Sequence, residues 1–288
     1  PGRRVSPTHQ IMLACHTRAA VAALLLLGGV LPSVALAQTD YFNTDAGRPV
    51  RIEDAYAIAR RAIELQVAPL RLERERGGGY RWGLEPEIAV GLLPRTQVEI
   101  GFPLVHTEGA AGVRTTALAG LEMSALYNLN AETRLPALAL VADVVVPAGP
   151  LGPSTTIPSL KAIATKTFAW ARFHVNGQVT FADDPLATGS RNAGVAPANA
   201  EFTRWLGGIA IDKALPLRSM LLTAEVVTSQ PLVRSAARRW DVAGGTRVQL
   251  SPRVAFDAGG GYRLAGDEPG WFVTTGAAVA IGLPWSTR

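Results

Sequence analysis

Only four of the 288 residues are histidines, and His9 and His16 lie near the start. His106 and His174 are therefore the candidate bases for any acid–base or nucleophilic chemistry. A hydrolase would need a nucleophile, one of these imidazoles and an orienting acid within hydrogen-bond reach. No serine can be set beside either histidine by spacing, and two histidines far apart in sequence make a poor metal set. His174 shares a polar alternation with Asn176 and Gln178, which reads as an ordinary polar face. Cys15, the sole cysteine, leaves no sulfur ligands in the body of the chain. Gly77-Gly78-Gly79 reads as a hairpin turn. Gly259-Gly260-Gly261 falls inside an alternating segment with no helix after it, so it is no phosphate cradle and instead permits curvature and close packing.

The segments that would position these residues alternate apolar and polar at period two, the pattern of half-buried strands. Val98, Ile100, Phe102 and Leu104 oppose Gln97 and Glu99; Phe173, Val175, Val179 and Phe181 oppose His174, Asn176, Gln178 and Thr180. About twelve strands are predicted, near 58–75, 80–93, 96–107, 116–130, 136–148, 156–169, 171–183, 200–214, 218–230, 238–251, 253–265 and 270–283. A phase change at Ala68-Pro69 predicts a bulge. The segment from 155 fits least well, because Lys161 and Lys166 fall on opposite parities. Tight connections alternate with longer ones, notably 109–115, 149–155, 184–199 and 231–237. The fold class expected is all-β: a closed antiparallel transmembrane barrel with short periplasmic turns and longer extracellular loops. Its apolar parity would face lipid, since lipid offers no partners for backbone groups and only a closed sheet satisfies them. Aromatics cluster where two interfacial girdles would lie: Tyr80/Trp82, Phe202/Trp205, Trp240 and Trp271/Phe272 at one end, Tyr127, Phe168/Trp170 and Trp285 at the other. A soluble exported sandwich would share the alternation, with the charged parity facing water.

Composition agrees with export. The 28 Lys+Arg stand against 23 Asp+Glu, with 18% charged residues and 48% hydrophobic residues. Arg3, Arg4 and Arg18 precede Ala37 with no acidic residue, so removing that stretch leaves 25 basic against 23 acidic residues. So small a balance does not suit a nucleic-acid binder, and the apolar content excludes disorder. Residues 1–11 read as upstream translated sequence. Residues 12–37 read as a signal peptide opening at Met12, with cleavage between Ala37 and Gln38. Residues 38–54 read as a periplasmic lead-in and 55–288 as the barrel, in the outer membrane of a Gram-negative-type bacterium.

With the charged parity inside, the lumen-lining candidates for solute contact are Arg71, Glu85, Glu87, Glu99, Glu122, Asp143, His174, Asn176, Gln178, Asp241, Arg247, Asp257 and Arg263. Asp212 and Glu225 share that parity. Closing the sheet would set an acidic wall against a basic wall of Arg71, Arg247 and Arg263. Two outcomes stay open: a narrow polar passage of the intermediate bore expected for about twelve strands, or a salt-bridge network that plugs it. No cofactor and no metal are expected. The expected partners are outer-membrane lipid and lipopolysaccharide, a small-molecule solute, and the periplasmic chaperones and barrel-assembly machinery. Arginines gather toward the outer rim, and Arg238 and Arg239 are the candidate lipopolysaccharide contacts, because the guanidinium fork suits phosphate.

Gly91-Leu92-Leu93-Pro94-Arg95-Thr96-Gln97-Val98-Glu99-Ile100-Gly101-Phe102-Pro103-Leu104, Ala119-Gly120-Leu121-Glu122 leading to Ala125-Leu126-Tyr127-Asn128-Leu129, and Leu135-Pro136-Ala137-Leu138 leading to Pro147-Ala148-Gly149 resemble the outer-membrane family labelled putative MetA-pathway of phenol degradation. Two positions depart from its pattern: a usual Gly-Asp pair reads Gly120-Leu121-Glu122, and Pro-Thr-Gly reads Pro147-Ala148-Gly149. The resemblance implies a transporter or channel barrel, with passive passage of small aromatic or other hydrophobic compounds. The alternative function is a structural or adhesion barrel acting through its outer loops, with a membrane-embedded hydrolase as a third.

Overall fold

A computed structural model describes residues 48–74, 80–108, 114–183, 202–215, 219–267 and 270–282. Its strands are β1 (Ala62–Arg74), β2 (Tyr80–Leu84 and Glu87–Leu93), β3 (Thr96–Gly101 and Leu104–Glu108), β4 (Arg114–Leu118 and Leu121–Asn128), β5 (Ala137–Val146), β6 (Ile157–Thr167), β7 (Arg172–Thr180), β8 (Thr203–Ala214), β9 (Met220–Pro231), β10 (Arg239–Ser251), β11 (Val254–Ala265) and β12 (Trp271–Gly282). Each strand pairs antiparallel with its neighbours in sequence, and β12 pairs back onto β1 from Ala62↔Gly282 to Glu73↔Phe272. The result is a closed twelve-strand antiparallel barrel.

The predicted bulge is present, as the β1–β12 register shifts between Val67 and Leu70. Three adjacent strands are interrupted at one level, at Glu85-Pro86, Phe102-Pro103 and Ala119-Gly120. Proline has no N–H to give to a ladder, and Gly120 has φ +112°, a conformation that disfavours any side chain. The wall stays stitched across the breaks by Phe102 N–H to Pro86 O at 3.0 Å and Ala119 N–H to Pro103 O at 2.8 Å. The alternation carried no mark of these breaks, because the side-chain parity resumes beyond them.

Large apolar side chains point outward: Leu92 is 58% exposed, Leu160 54%, Ile209 57% and Leu264 60%. The opposite parity points inward, with Glu85 at 0% and Arg247 at 1%. A one-residue slip would exchange the faces, setting charges in lipid at about 2–4 kcal/mol for each basic residue near the midplane. That penalty fixes the register. Lys166 escapes the conflict anticipated for β6. It lies one residue from the strand end and reaches to Glu132 at 3.2 Å and to Thr133 O at 2.7 Å, a snorkel to the rim.

One assignment changes. Of the lead-in assigned to 38–54, the described part, 48–54, lies inside the barrel with every residue buried. The first strand begins at Ala62, not near 58. Tyr56 and Ile58 mimic strand alternation, but Arg61 at φ +67° and the Ala62 N–H to Ala59 O bond close a turn there. Residues 1–47, which include the signal segment and the Ala37/Gln38 junction, lie outside the described residues.

Candidate functional site

The site is the lumen, and residues 48–61 cross it. This segment has no ladder of its own, so side chains of the wall take up backbone groups that a sheet partner would otherwise satisfy. The carboxylate of Glu225 on β9 accepts the N–H groups of both Arg51 (2.8 Å) and Ile52 (2.9 Å). Asn176 on β7 holds Glu53 from two sides: its Oδ1 accepts the Glu53 N–H and its Nδ2 donates to the Glu53 carbonyl, each at 2.9 Å. Thr165 Oγ1 accepts the Ala55 N–H at 3.0 Å, Asn128 Nδ2 donates to Ala55 O at 2.6 Å, and Gln97 Oε1 accepts the Ile58 N–H at 2.7 Å. Five strands thus present side chains in place of a sheet partner.

Apolar contacts follow the same path. Ala55, Tyr56 and Ala57 pack on Leu126, Ala137, Ala139, Val141 and Ile163, and Ile52 packs with Leu206, Ala210 and Val227. Glycines in the wall make room. A Cβ on Gly245 would stand 2.6 Å from Pro49 Cβ, and one on Gly91 would stand 2.1 Å from the Ala59 carbonyl oxygen. Gly259, from the triple glycine, also faces Pro49, while Gly261 leaves space for the ring of Phe272. Close packing is thus the role of that cluster.

The inward charges sort into two regions. On β10 and β11, Asp241 pairs in register with Arg263 and Arg247 with Asp257; the Nε–carboxylate distances are 3.0 Å and 3.4 Å. The segment adds Arg51 to Asp241 at 3.0 Å, and Arg48 between Glu64 (3.5 Å) and Asp257 (3.8 Å). Arg71 on β1 bonds Glu73 at 2.6 Å and lies 3.7 Å over the ring of Phe272. Pairing and hydrogen bonding are what make such burial of charge tolerable.

Across the lumen, Glu87, Glu99, Glu122 and Asp143 line a cavity of about 140 Å³ with Lys161, Ser159, Asn176 and Gln178; Arg51 and Glu53 of the segment also border it. Lys161 bonds Glu53 and stands 3.9 Å from Asp143. Gln97 donates to Glu99 at 2.6 Å, and Gln178 to Ser159 at 3.1 Å. Glu85, Glu87 and Glu122 each bring one oxygen within 4.8 Å of the others, an oxygen-only set of the kind hard divalent cations take.

His174 is buried in a relay. Nδ1 lies 3.0 Å from Thr165 Oγ1 and Nε2 lies 2.9 Å from Asp212 Oδ2. Asp212 is gripped in turn by Arg172 through Nε (2.9 Å) and Nη2 (2.6 Å), and Arg172 stands 3.8 Å from Asp54 of the segment. The order hydroxyl, imidazole, carboxylate is that of a hydrolytic triad. Here the Thr165 oxygen is fully buried and accepts the Ala55 N–H, so the relay fastens the segment. His106 sits at the far rim, stacked on Trp82 at 5.3 Å and 2.7 Å from Thr116 Oγ1.

Sequence reasoning passed over Lys161, Thr165, Arg172 and Asn128, and all of residues 48–54. Lys161 had a signal, its place on the polar parity of β6. The segment had none, because its partners are scattered over the wall.

At the short-turn rim Glu132 latches the segment. Thr167 N–H and Thr167 hydroxyl each donate to it at 2.8 Å, Lys166 stands at 3.2 Å, and the Tyr56 hydroxyl donates at 3.0 Å. Burial pushes the Glu132 carboxyl up, but these donors outweigh it and hold it below its ordinary value. Burial, followed by Glu132 itself, pushes the Tyr56 hydroxyl up to about 12. A depressed carboxyl stabilises the latch above the ordinary Glu value near ~4.3 and loses that contribution as pH falls through the lower folded value. A raised phenol contributes below its ordinary value near ~10 and loses that as pH rises through its folded value. The latch is therefore whole between about pH 5 and 10. Ion flux through the wild-type barrel is expected to stay flat over that window and to rise on acidification below about pH 4. Glu132→Gln should show weaker acid dependence; an identical acid limb in both proteins would remove Glu132 from the mechanism.

No protein-family model matches the chain, and no curated protein matches it. Among solved structures it is similar to the COG4313 outer membrane channel from Pseudomonas putida F1, at 12% identity and TM-score 0.55, covering 83% of this chain and 100% of that one. It is also similar to the KdgM porin (9% identity, TM-score 0.48, 76% and 98% covered) and to the CymD monoaromatic hydrocarbon channel (9%, 0.41, 78% and 90%). At such identities the likeness is one of fold. The fold shared with the first is that of an outer-membrane barrel.

Proposed function

We propose that the chain is a passive outer-membrane channel for small polar solutes, with cations favoured, whose bore is narrowed by its own residues 48–61. The observation that carries this reading is the cavity beside the segment, where Glu87, Glu99, Glu122 and Asp143 outnumber Lys161 and Arg51. A water-filled passage lined with one sign of charge concentrates counter-ions and repels co-ions. The cavity also borders Val145, Ile157, Phe202 and Leu206, so the small aromatic or hydrophobic solute implied by the family resemblance would meet apolar side chains there. A small cation with an apolar body satisfies both linings. No energy source or cofactor enters this reading.

The test is a planar bilayer separating two concentrations of KCl. The reversal potential is expected to have the sign of cation preference, and Glu99→Gln/Asp143→Asn should move it toward zero while the current persists. Anion preference, or no current at any voltage, would defeat the proposal; the second result would favour a barrel plugged by its own ion pairs.

A further inference from the structure

The barrel register sets Gln66 of β1, Glu87 of β2, Gly101 of β3 and Glu122 of β4 opposite one another in a single row across four neighbouring strands. Gly101 brings no side chain, and a Cβ there would stand 3.2 Å from Glu87 Cγ and 3.6 Å from Glu122 Oε2, so the two glutamates lean together over the gap. Glu85 shares the inward parity of Glu87 and is 0% exposed. This row lies at the level where the wall is interrupted. Pro86 separates the first two glutamates, Gly101 ends the first half of β3, and Glu122 stands one residue into the second half of β4.

Two oxygens of the row are buried and take no hydrogen bond, Gln66 Oε1 and Glu122 Oε1. Gln66 is only 2% exposed. Its Nε2 faces Glu64 Oε1 at 3.5 Å, two residues back along β1, so the oxygen edge of the amide is turned the other way, on the side of Glu87 and the breaks. Native structures meet the cost of a buried acceptor without a donor by means of a water or an ion. One oxygen from each of Glu85, Glu87 and Glu122 lies within 4.8 Å of the others, and carboxylates so close repel unless a cation or a proton lies among them. Lys161, which borders the same cavity, is engaged by Glu53 and Asp143. Calcium binds oxygens at about 2.3–2.6 Å, so ligands on opposite sides of it stand about 4.6–5.2 Å apart. The three carboxylates suit that ion as they stand, whereas magnesium, at about 2.0–2.1 Å, demands a tighter octahedron.

We propose that Glu85, Glu87 and Glu122, joined by the amide oxygen of Gln66, bind a calcium ion on the inner face of the wall at the level of the strand breaks. Carboxylates and an amide carbonyl are the donors calcium takes, and an ion held by them ties β1, β2 and β4 together where the ladders of β2 to β4 lose bonds. Glu87 and Glu122 also border the cavity proposed as the passage, but binding to the purified barrel involves no current, so the two readings fail separately.

Full-length barrel refolded from inclusion bodies into detergent micelles, and thus free of lipopolysaccharide, is cleared of divalent ions with EGTA and titrated calorimetrically with CaCl2, MgCl2 and KCl. A saturable calcium site is expected, with magnesium weaker and no heat of binding from potassium. Glu122→Gln and Gln66→Leu should each raise the half-saturating calcium concentration by at least roughly tenfold, since even an outer-sphere partner is worth about 10–100-fold to a metal site. Glu99→Gln/Asp143→Asn, which neutralises the other two acids of the cavity, should stay closer to wild type. The compact band in SDS electrophoresis reports that each protein is folded. No saturable calcium binding to the folded wild type overturns the proposal and leaves protons to relieve the acidic row. Calcium binding unchanged in both Glu122→Gln and Gln66→Leu, or lost equally in Glu99→Gln/Asp143→Asn, overturns it as well.

Discussion

Deleting residues 48–60 is expected to raise single-channel conductance several-fold while leaving a folded barrel. The wall closes through its own ladder, from β1 around to β12 and back, so the segment contributes no strand to it. What the deletion removes is material: Ile52, Ala55 and their neighbours occupy the bore, and Arg48 and Arg51 fill the space between Glu64, Asp241 and Asp257. Water replaces them, and groups such as Glu225 and Asn176 that held the segment become hydrated instead of orphaned. Carboxylates freed from Arg48 and Arg51 make the widened bore more acidic, so cation preference should strengthen along with the current. Unchanged conductance in the deletion would mean that ions do not pass where the segment lies.

The second large effect comes from one side chain. Glu225→Ala removes the acceptor of two buried backbone N–H groups, those of Arg51 and Ile52. Each orphaned donor costs about 1–3 kcal/mol, so the seated segment should lose roughly 2–6 kcal/mol relative to a displaced one. At ~1.4 kcal/mol per tenfold, displaced states become more populated by more than an order of magnitude. Single-channel records should show frequent excursions to the conductance of the deletion protein. Glu225→Gln retains an oxygen that can accept, and should sit closer to wild type. If Glu225→Ala records cannot be told from wild type, the two N–H bonds do not hold the segment.

The barrel wall was legible because side-chain parity is a local property with a period of two. Val98 and Ile100 against Gln97 and Glu99 declare their faces within four residues, and the same holds for His174, Asn176 and Gln178 on β7. The breaks at Pro86, Pro103 and Gly120 were visible as residue types, yet their alignment at one level across β2, β3 and β4 depends on register. Within the lumen, the acids of β2 to β5 could be anticipated from the strands that carry them, whereas the wall expected to be basic, with Arg71, Arg247 and Arg263, is a mixed one in which Glu73, Asp257 and Asp241 face those arginines. Partners could not: Asp241 meets Arg263, 22 positions away, and Glu225 meets Arg51, 174 positions away.

Alternation and charge placement alone thus set the number of strands, their facing and the character of the inner wall, since lipid on one side leaves a single affordable orientation for an ionised residue. Only the closed structure decided that residues 48–61 turn inward. An aperiodic peptide carries no facing signal. It goes where its backbone donors and acceptors find partners, and here those are Glu225, Asn176, Thr165, Asn128 and Gln97, five side chains that barrel closure alone brings around one axis.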